Sequence, residues 1–284
     1  MLTNWRNFLK NAGEWRGSFT RISGQGEILD STLSILNLEA TNNNETVLFR
    51  LRRFQGRDYD SPVIQDYQQE YTSLAKENIF FETGAFCKGT VQLAPFAEFG
   101  AEYGFVHENR RSRLVQLYNK EGQLSSLTLI REFRSFTDAQ ERPQLTIEQL
   151  IGKWQGISHT LYSDLRPSNK ETTYLEIKKL DNGYLEKQQL FAGEEMTSLG
   201  KIVDNRLIFE PSSRQQSDQK LNNEEILLPD GVSSNVPTKL ERRKEFFIEA
   251  GWLVKDTERQ RLIRNYNAQG EWISSSHIVE IKMA

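Results

Sequence analysis

The sequence predicts an all-β protein: two tandem antiparallel β-barrels, each preceded by a short helix. Three observations carry that prediction. First, the chain repeats itself. Glu249 to Lys282 reads EAGWLVKDTERQRLIRNYNAQGEWISSSHIVEIK, and Glu102 to Arg134 reads EYGFVHENRRSRLVQLYNKEGQLSSLTLIREFR. Repeats are sought first, because missing one misassigns the whole fold. Glu102, Gly104 and Phe105 align with Glu249, Gly251 and Trp252. One inserted residue later, Arg113-Leu114-Val115 matches Arg261-Leu262-Ile263, Tyr118-Asn119 matches Tyr266-Asn267, and Glu132 and Arg134 match Glu280 and Lys282. Upstream, Gly13-Glu14-Trp15-Arg16-Gly17 matches Gly152-Lys153-Trp154-Gln155-Gly156, and Gly89 and Pro95 are set against Gly231 and Pro237. Second, alternating and β-branched runs fill both halves and leave no room for long helices. Third, 284 residues is the length of about two domains.

Thr3 to Asn11 reads as the first helix, with Trp5, Phe8 and Leu9 on one face and Thr3 able to cap it. In the second copy Thr146 and Gln149 have capping-box spacing ahead of Leu150 and Ile151. Each helix leads into Gly-x-Trp. Strands are expected over Trp15–Ile22, Glu27–Ala40, Glu45–Phe54, Gln65–Tyr71, Val91–Val106, Arg113–Tyr118 and Leu124–Phe133. The connections Asn119–Gly122 and Asn267–Gly270 join the last two strands of each copy as a hairpin. Phe136 to Pro143 is polar and aperiodic and marks the boundary between domains 1–138 and 139–284. Further strands are expected over Thr172–Ile177, Tyr184–Phe191, Lys201–Ile202, Leu207–Phe209 and Glu225–Leu228, with an exposed loop over Ser212–Asn223.

Composition excludes several classes. The net charge of −3 comes from interspersed signs, so nucleic acid is not expected as a partner. Cys87 is the single cysteine, which rules out an intrachain disulfide and fits a reducing, cytoplasmic setting. It is read as a buried, inert thiol. No stretch approaches the roughly 20 apolar residues of a membrane span, and no signal-peptide layout opens the chain. The three histidines lie in separate segments, so no metal site is expected.

The short helix, the Gly-x-Trp strand and the basic residue ending the last strand resemble the lipocalin-like, or calycin, barrels. That resemblance implies that Arg134 packs across Trp15, and Lys282 across Trp154, to close one end of each barrel. The closing stretch also resembles the S-type and T-type phycobiliprotein chromophore lyases, through Trp252, Arg261 or Arg264, and Glu280-Ile281-Lys282. Departures are the terminal lysine, Phe105 in place of tryptophan in the first copy, and two barrels where those lyases have one. Over essentially the full length, the chain is similar to a tandem-barrel family of cyanobacteria and photosynthetic eukaryotes, a likeness that implies no activity.

Strand parity puts Phe246, Ile248, Ala250, Trp252 and Val254 on one face, and Phe99, Ala101, Tyr103, Phe105 and His107 on its counterpart. Each face is either plain core or the wall of a ligand cavity. Arg113 and Arg261 recur; inside a barrel they could grip a carboxylate, and on the outer face they would be solvated. Arg264 faces away from Arg261, so only one points inward. Glu132 and Glu280 are expected to pair with Arg134 and Lys282. The clusters Arg110-Arg111-Arg113 and Arg242-Arg243-Lys244 read as solvated.

The reading is therefore a non-catalytic binding protein for a hydrophobic or amphipathic carboxylate such as a fatty acid or a bilin. No cofactor is required, although a bilin or other tetrapyrrole is a candidate ligand. Its ligand-binding residues would be Trp252, Arg261, Arg264, Glu280, Tyr103, Phe105 and Arg113, with Arg261 weighing more than Arg113. The alternatives are a lyase-like protein serving an acceptor phycobiliprotein, with Glu280 as proton donor, and an interaction module without a small ligand.

Overall fold

The computed structural model describes residues 2–191, 193–209, 221 and 223–284. Helix α1 (Leu2–Leu9) leads into nine strands: β1 (Gly13–Ser23), β2 (Ile28–Thr41), β3 (Thr46–Phe54), β4 (Val63–Tyr71), β5 (Ile79–Phe80), β6 (Phe86–Gly89), β7 (Phe99–His107), β8 (Arg110–Tyr118) and β9 (Leu124–Arg134). Helix α2 (Ile147–Leu150) opens the second half, followed by β10 (Gly152–Tyr162), β11 (Asn169–Lys179), β12 (Tyr184–Phe191), β13 (Glu194–Val203), β14 (Arg206–Phe209), β15 (Asn223–Leu227), β16 (Val232–Pro237), β17 (Phe246–Lys255), β18 (Glu258–Tyr266) and β19 (Trp272–Lys282). The loop expected over Ser212–Asn223 falls outside the described residues, except Leu221 and Asn223.

The two copies close differently. The second half is a closed barrel, β10 through β19 in chain order. The first is a curled nine-stranded sheet in the order β4-β3-β2-β1-β9-β8-β7-β6-β5, left open between β4 and β5. Registers show why. Tyr71 is the counterpart of Gly200, and Phe80 that of Leu227, so the second copy spends more chain between these points and places β14 there. In the first half α1 stands in that place. Phe8 packs on Tyr71 of β4 at 5.7 Å and on Phe80 of β5 at 5.0 Å between ring centroids. Asn4 and Asn7 bond the backbone of Asn78 and Phe80. A two-residue strand has few ladder bonds, so its outer peptide groups need such partners.

The same registers correct part of the repeat. Phe86 pairs with Gly104 as Ser233 pairs with Gly251, which makes Gly89 the counterpart of Val236, not of Gly231. The true mate of Gly231 is Gly84; both have positive φ, at 72° and 91°, in equivalent turns.

The Gly-x-Trp openings behave alike. Trp15 and Trp154 are buried, and their indole N–H groups donate to the carbonyls of Asn11 and Leu150. The Arg134 guanidinium lies 4.4 Å from the Trp15 ring centroid, and the Lys282 ammonium 5.2 Å from that of Trp154. Two residues on, a Cβ at Gly17 would come within 1.9 Å of the Arg131 carbonyl oxygen, so the strand crossing requires glycine there.

The two halves pack outer face to outer face. One core cluster joins Phe99, Tyr103, Phe105, Leu114 and Tyr118 of the first half to Ile248, Trp252, Leu262, Tyr266 and Trp272 of the second. Each hairpin turn also bonds the other half: the Leu240 N–H to the Gly122 carbonyl, and the Leu93 N–H to the Gly270 carbonyl, both at 2.8 Å. No helix among the described residues is long and apolar enough to cross a membrane.

Candidate functional site

The side chains that turn into the second barrel meet at one level. In register, Gly156 faces Glu280, Glu280 faces Arg259, and Arg261 faces Gly251. The glycines leave room for the long charged groups between them. Arg261 donates from Nε and Nη2 to Glu280 Oε1 at 3.1 and 2.8 Å, and from Nη1 to Glu249 at 3.4 Å. Arg259 reaches Glu225 at 3.3 Å, and Lys187 bonds the other oxygen of Glu225. Three cations meet three carboxylates. Burial pushes the Glu225 carboxyl up, but Lys187 and Arg259 outweigh it and bring it to about 2. At Glu249 burial wins over Arg261 and Arg259, and the pKa rises.

The first half repeats this cluster. Arg113 donates twice to Glu132, at 3.0 and 2.8 Å, and once to Glu102 at 2.8 Å. Arg111, the counterpart of Arg259, bonds Glu132 at 3.0 Å and the Asn11 amide oxygen at 3.0 Å. Lys88 lies 2.9 Å from Glu102. Burial raises the Glu102 pKa, while Lys88 and Arg113 together bring it down to about 2. Arg113 also lies 5.5 Å from the Phe19 ring, which Arg53 shares at 5.0 Å. Arg111 and Arg113 are thus buried, and the expectation of a solvated cluster is corrected. The expected pairing of Glu132 and Glu280 with Arg134 and Lys282 is corrected too: these acids pair with the arginines of the adjacent strand, and Arg134 and Lys282 are left to the tryptophans.

Other expected site residues lie elsewhere. Tyr103, Phe105 and Trp252 are in the seam between the two halves. The Tyr103 hydroxyl donates to the Ile248 carbonyl at 2.9 Å, Trp252 donates to the Asp230 carbonyl at 3.0 Å, and Phe105 lies 6.1 Å from Trp252. Arg264 is in the same seam, fully buried, with its guanidinium 4.6 Å from the Trp272 ring and bonded to Tyr266 and the Gly89 carbonyl. Of the two arginines, Arg261 is therefore the one inside the barrel. Cys87 is buried, 3.8 Å from Arg264.

Sequence reading missed Arg111, Arg259, Glu225 and Lys187. The i, i+2 spacing of Arg111 with Arg113, and of Arg259 with Arg261, was the available signal. It also missed that His159 and His277 face each other across β10 and β19. Both pack on Phe81 of the first half. Burial, and then the neighbouring His159, lowers the His277 pKa to about 3. No cluster able to hold a metal occurs among the described residues.

Comparison with known proteins places the chain. Residues 1–137 match the N-terminal domain model of DUF3598, a domain of unknown function. A crystal structure of a DUF3598 protein from Nostoc punctiforme is 41% identical, covers 100% of both chains and superposes with a TM-score of 0.89. The chain belongs to the DUF3598 family. Residues 141–283 of this DUF3598 protein match a model described as the C-terminal domain of "Biogenesis factor required for ATP synthase 1". The S-type phycobiliprotein lyase of Guillardia theta is a distant likeness, at 10% identity, with 48% of this chain and 90% of that chain covered and a TM-score of 0.34. No curated protein matches.

Proposed function

We propose that this chain is an assembly factor: a non-catalytic protein that holds another protein while an ATP synthase is built. The observation that carries this reading is the match of the whole second barrel, residues 141–283, to the C-terminal domain of a biogenesis factor required for ATP synthase. The interior chemistry supports it. Arg261 makes its three side-chain hydrogen bonds to Glu280 and Glu249, so a ligand carboxylate would have to compete with two acids already in place. Glu280, committed to Arg261, is poorly placed to donate a proton. In an organism carrying this chain, deletion should lower the amount of assembled ATP synthase on a native gel while its subunits are still made. A tagged chain should capture unassembled subunits and not the finished complex. Normal levels of the complex in the deletion would overturn the reading.

A small-ligand reading keeps one specific support, and it lies in the first half. Around Phe19 the open concave face carries Arg53, Lys88, Arg111 and Arg113 against Glu102 and Glu132. That excess of cations suits an amphipathic carboxylate, a fatty acid or a bilin, with an aromatic ring beside its charged end. On this reading Arg53 carries the weight, its Nε buried without a hydrogen-bond partner, because Arg113 is held by Glu132 and Glu102 as Arg261 is by its own acids. Titration with a bilin, followed by visible absorption, tests it: a saturable red shift lost in Arg53→Ala supports it, and a flat titration removes the tetrapyrrole.

A further inference from the structure

Strand β4 is the exposed margin of the first sheet. One edge pairs with β3, and no strand pairs with the other among the described residues. Eight of its nine residues are exposed, Val63 at 47%, Ile64 at 57% and Tyr67 at 47%. Its sequence, VIQDYQQEY, carries no lysine and no proline, and past the β-bulge at Ile64 the stretch Gln65 to Tyr71 pairs regularly with β3. The opposite margin is covered, because Asn4 and Asn7 of α1 bond the backbone at β5. The sheet therefore offers a single free ladder, at β4.

The residues of β4 complement themselves. Gln65, Tyr67, Gln69 and Tyr71 face the concave side, where Tyr67 and Tyr71 flank Phe49 at 5.9 and 6.1 Å. Asp66, Gln68 and Glu70 face the other side, and Asp66 lies 2.6 Å from Arg50. An antiparallel copy paired over the regular stretch Gln65 to Gln69, with the same side facing the same way, has Tyr67 on the two-fold axis. Tyr67 then meets Tyr67 of the second copy, Gln65 meets Gln69, and Asp66 meets Gln68. No acid opposes an acid. Moving the axis by one residue sets Asp66 against itself or against Glu70, and like charges directly opposite destabilise a sheet.

We propose that two copies of this chain pair through β4, edge to edge about Tyr67, to form a two-fold dimer with one continuous sheet. This inference does not rest on the assembly-factor reading.

The test uses the full chain. Sedimentation equilibrium of the wild type should give twice the monomer mass. Tyr67→Lys, at an exposed position, should weaken association by about tenfold or more while the thermal transition stays in place. Register is read independently by oxidative cross-linking. Tyr67→Cys should couple to itself across the axis, and Ile64→Cys, well away from the axis, should not. A wild type that stays monomeric at the highest concentration that remains in solution overturns the proposal. So does a dimer indifferent to Tyr67→Lys, a dimer that cross-links through Ile64→Cys, or a monomer whose β4 is covered only when a different protein binds.

Discussion

A guanidinium withdrawn from water has to be met by carboxylates, and Arg261 is met by Glu280 and Glu249 at hydrogen-bonding distance. Removing the cation takes the bonded partner from Glu280 and leaves Glu249, whose pKa burial already raises, with only Arg259 at 4.0 Å. Arg261→Met should therefore cost about 3–5 kcal/mol in urea unfolding, and adding Glu280→Gln should recover part of the loss. His277 works with the opposite economy: it is buried neutral. Its folded pKa of about 3 lies below the ordinary 6.5, so between those values the unfolded chain binds a proton that the folded one refuses. The stability tied to His277 is complete above about pH 6.5 and is lost as pH falls towards 3. Between pH 6.5 and 5 the loss is about 2 kcal/mol. Thermal unfolding across that range should show a steeper decline for the wild type than for His277→Gln. The recurrence of Arg113, Arg261, Glu132 and Glu280 could be read from the text. Their mutual pairing could not, because three strands must lie in register before the charges meet.

At the level of strands, turn chemistry and small residues spoke plainly. The capping spacing of Thr146 and Gln149 marked α2, and the Gln149 side chain does accept the Thr146 N–H at 2.9 Å. The first helix starts at Leu2, one residue ahead of Thr3. Gly17 lies against the Arg131 carbonyl, so Gly17→Ala should lower stability by about 1–3 kcal/mol in the same unfolding assay. Strands β5, β6 and β16 went unseen. Phe86–Gly89 is four residues long, too short for an alternating pattern to rise above its flanking turns. The sequence suggests one strand over Val91–Val106, but the strand begins at Phe99, because Val91, Gln92 and Leu93 leave the sheet to meet the hairpin of the second half.

The whole molecule is held by the seam. Trp252, Tyr103, Phe105, Tyr118 and Tyr266 are each essentially inaccessible to water. Their packing makes the two halves share one apolar core, so the full chain should melt in a single calorimetric transition. Residues 139–284 made alone should melt at a lower temperature or aggregate, since they would present that face to water. Two well-separated transitions in the full chain would contradict a shared core.

From the sequence alone came the β class, the tandem repeat and the faces that strand parity groups together, because each rests on local periodicity or on residues repeated in order; the tryptophan–cation pairs came from the resemblance to the lipocalin-like barrels. Only the tertiary structure decided which face of each sheet turns outward, that the outward aromatic faces meet one another, and that the first sheet stays open where the second closes. Parity states which side chains share a side, and it is silent on which side the sheet bends around. That choice follows from the curl of the whole sheet and from the other half of the molecule, which covers Tyr103 and Trp252 and leaves the arginines enclosed with their carboxylates.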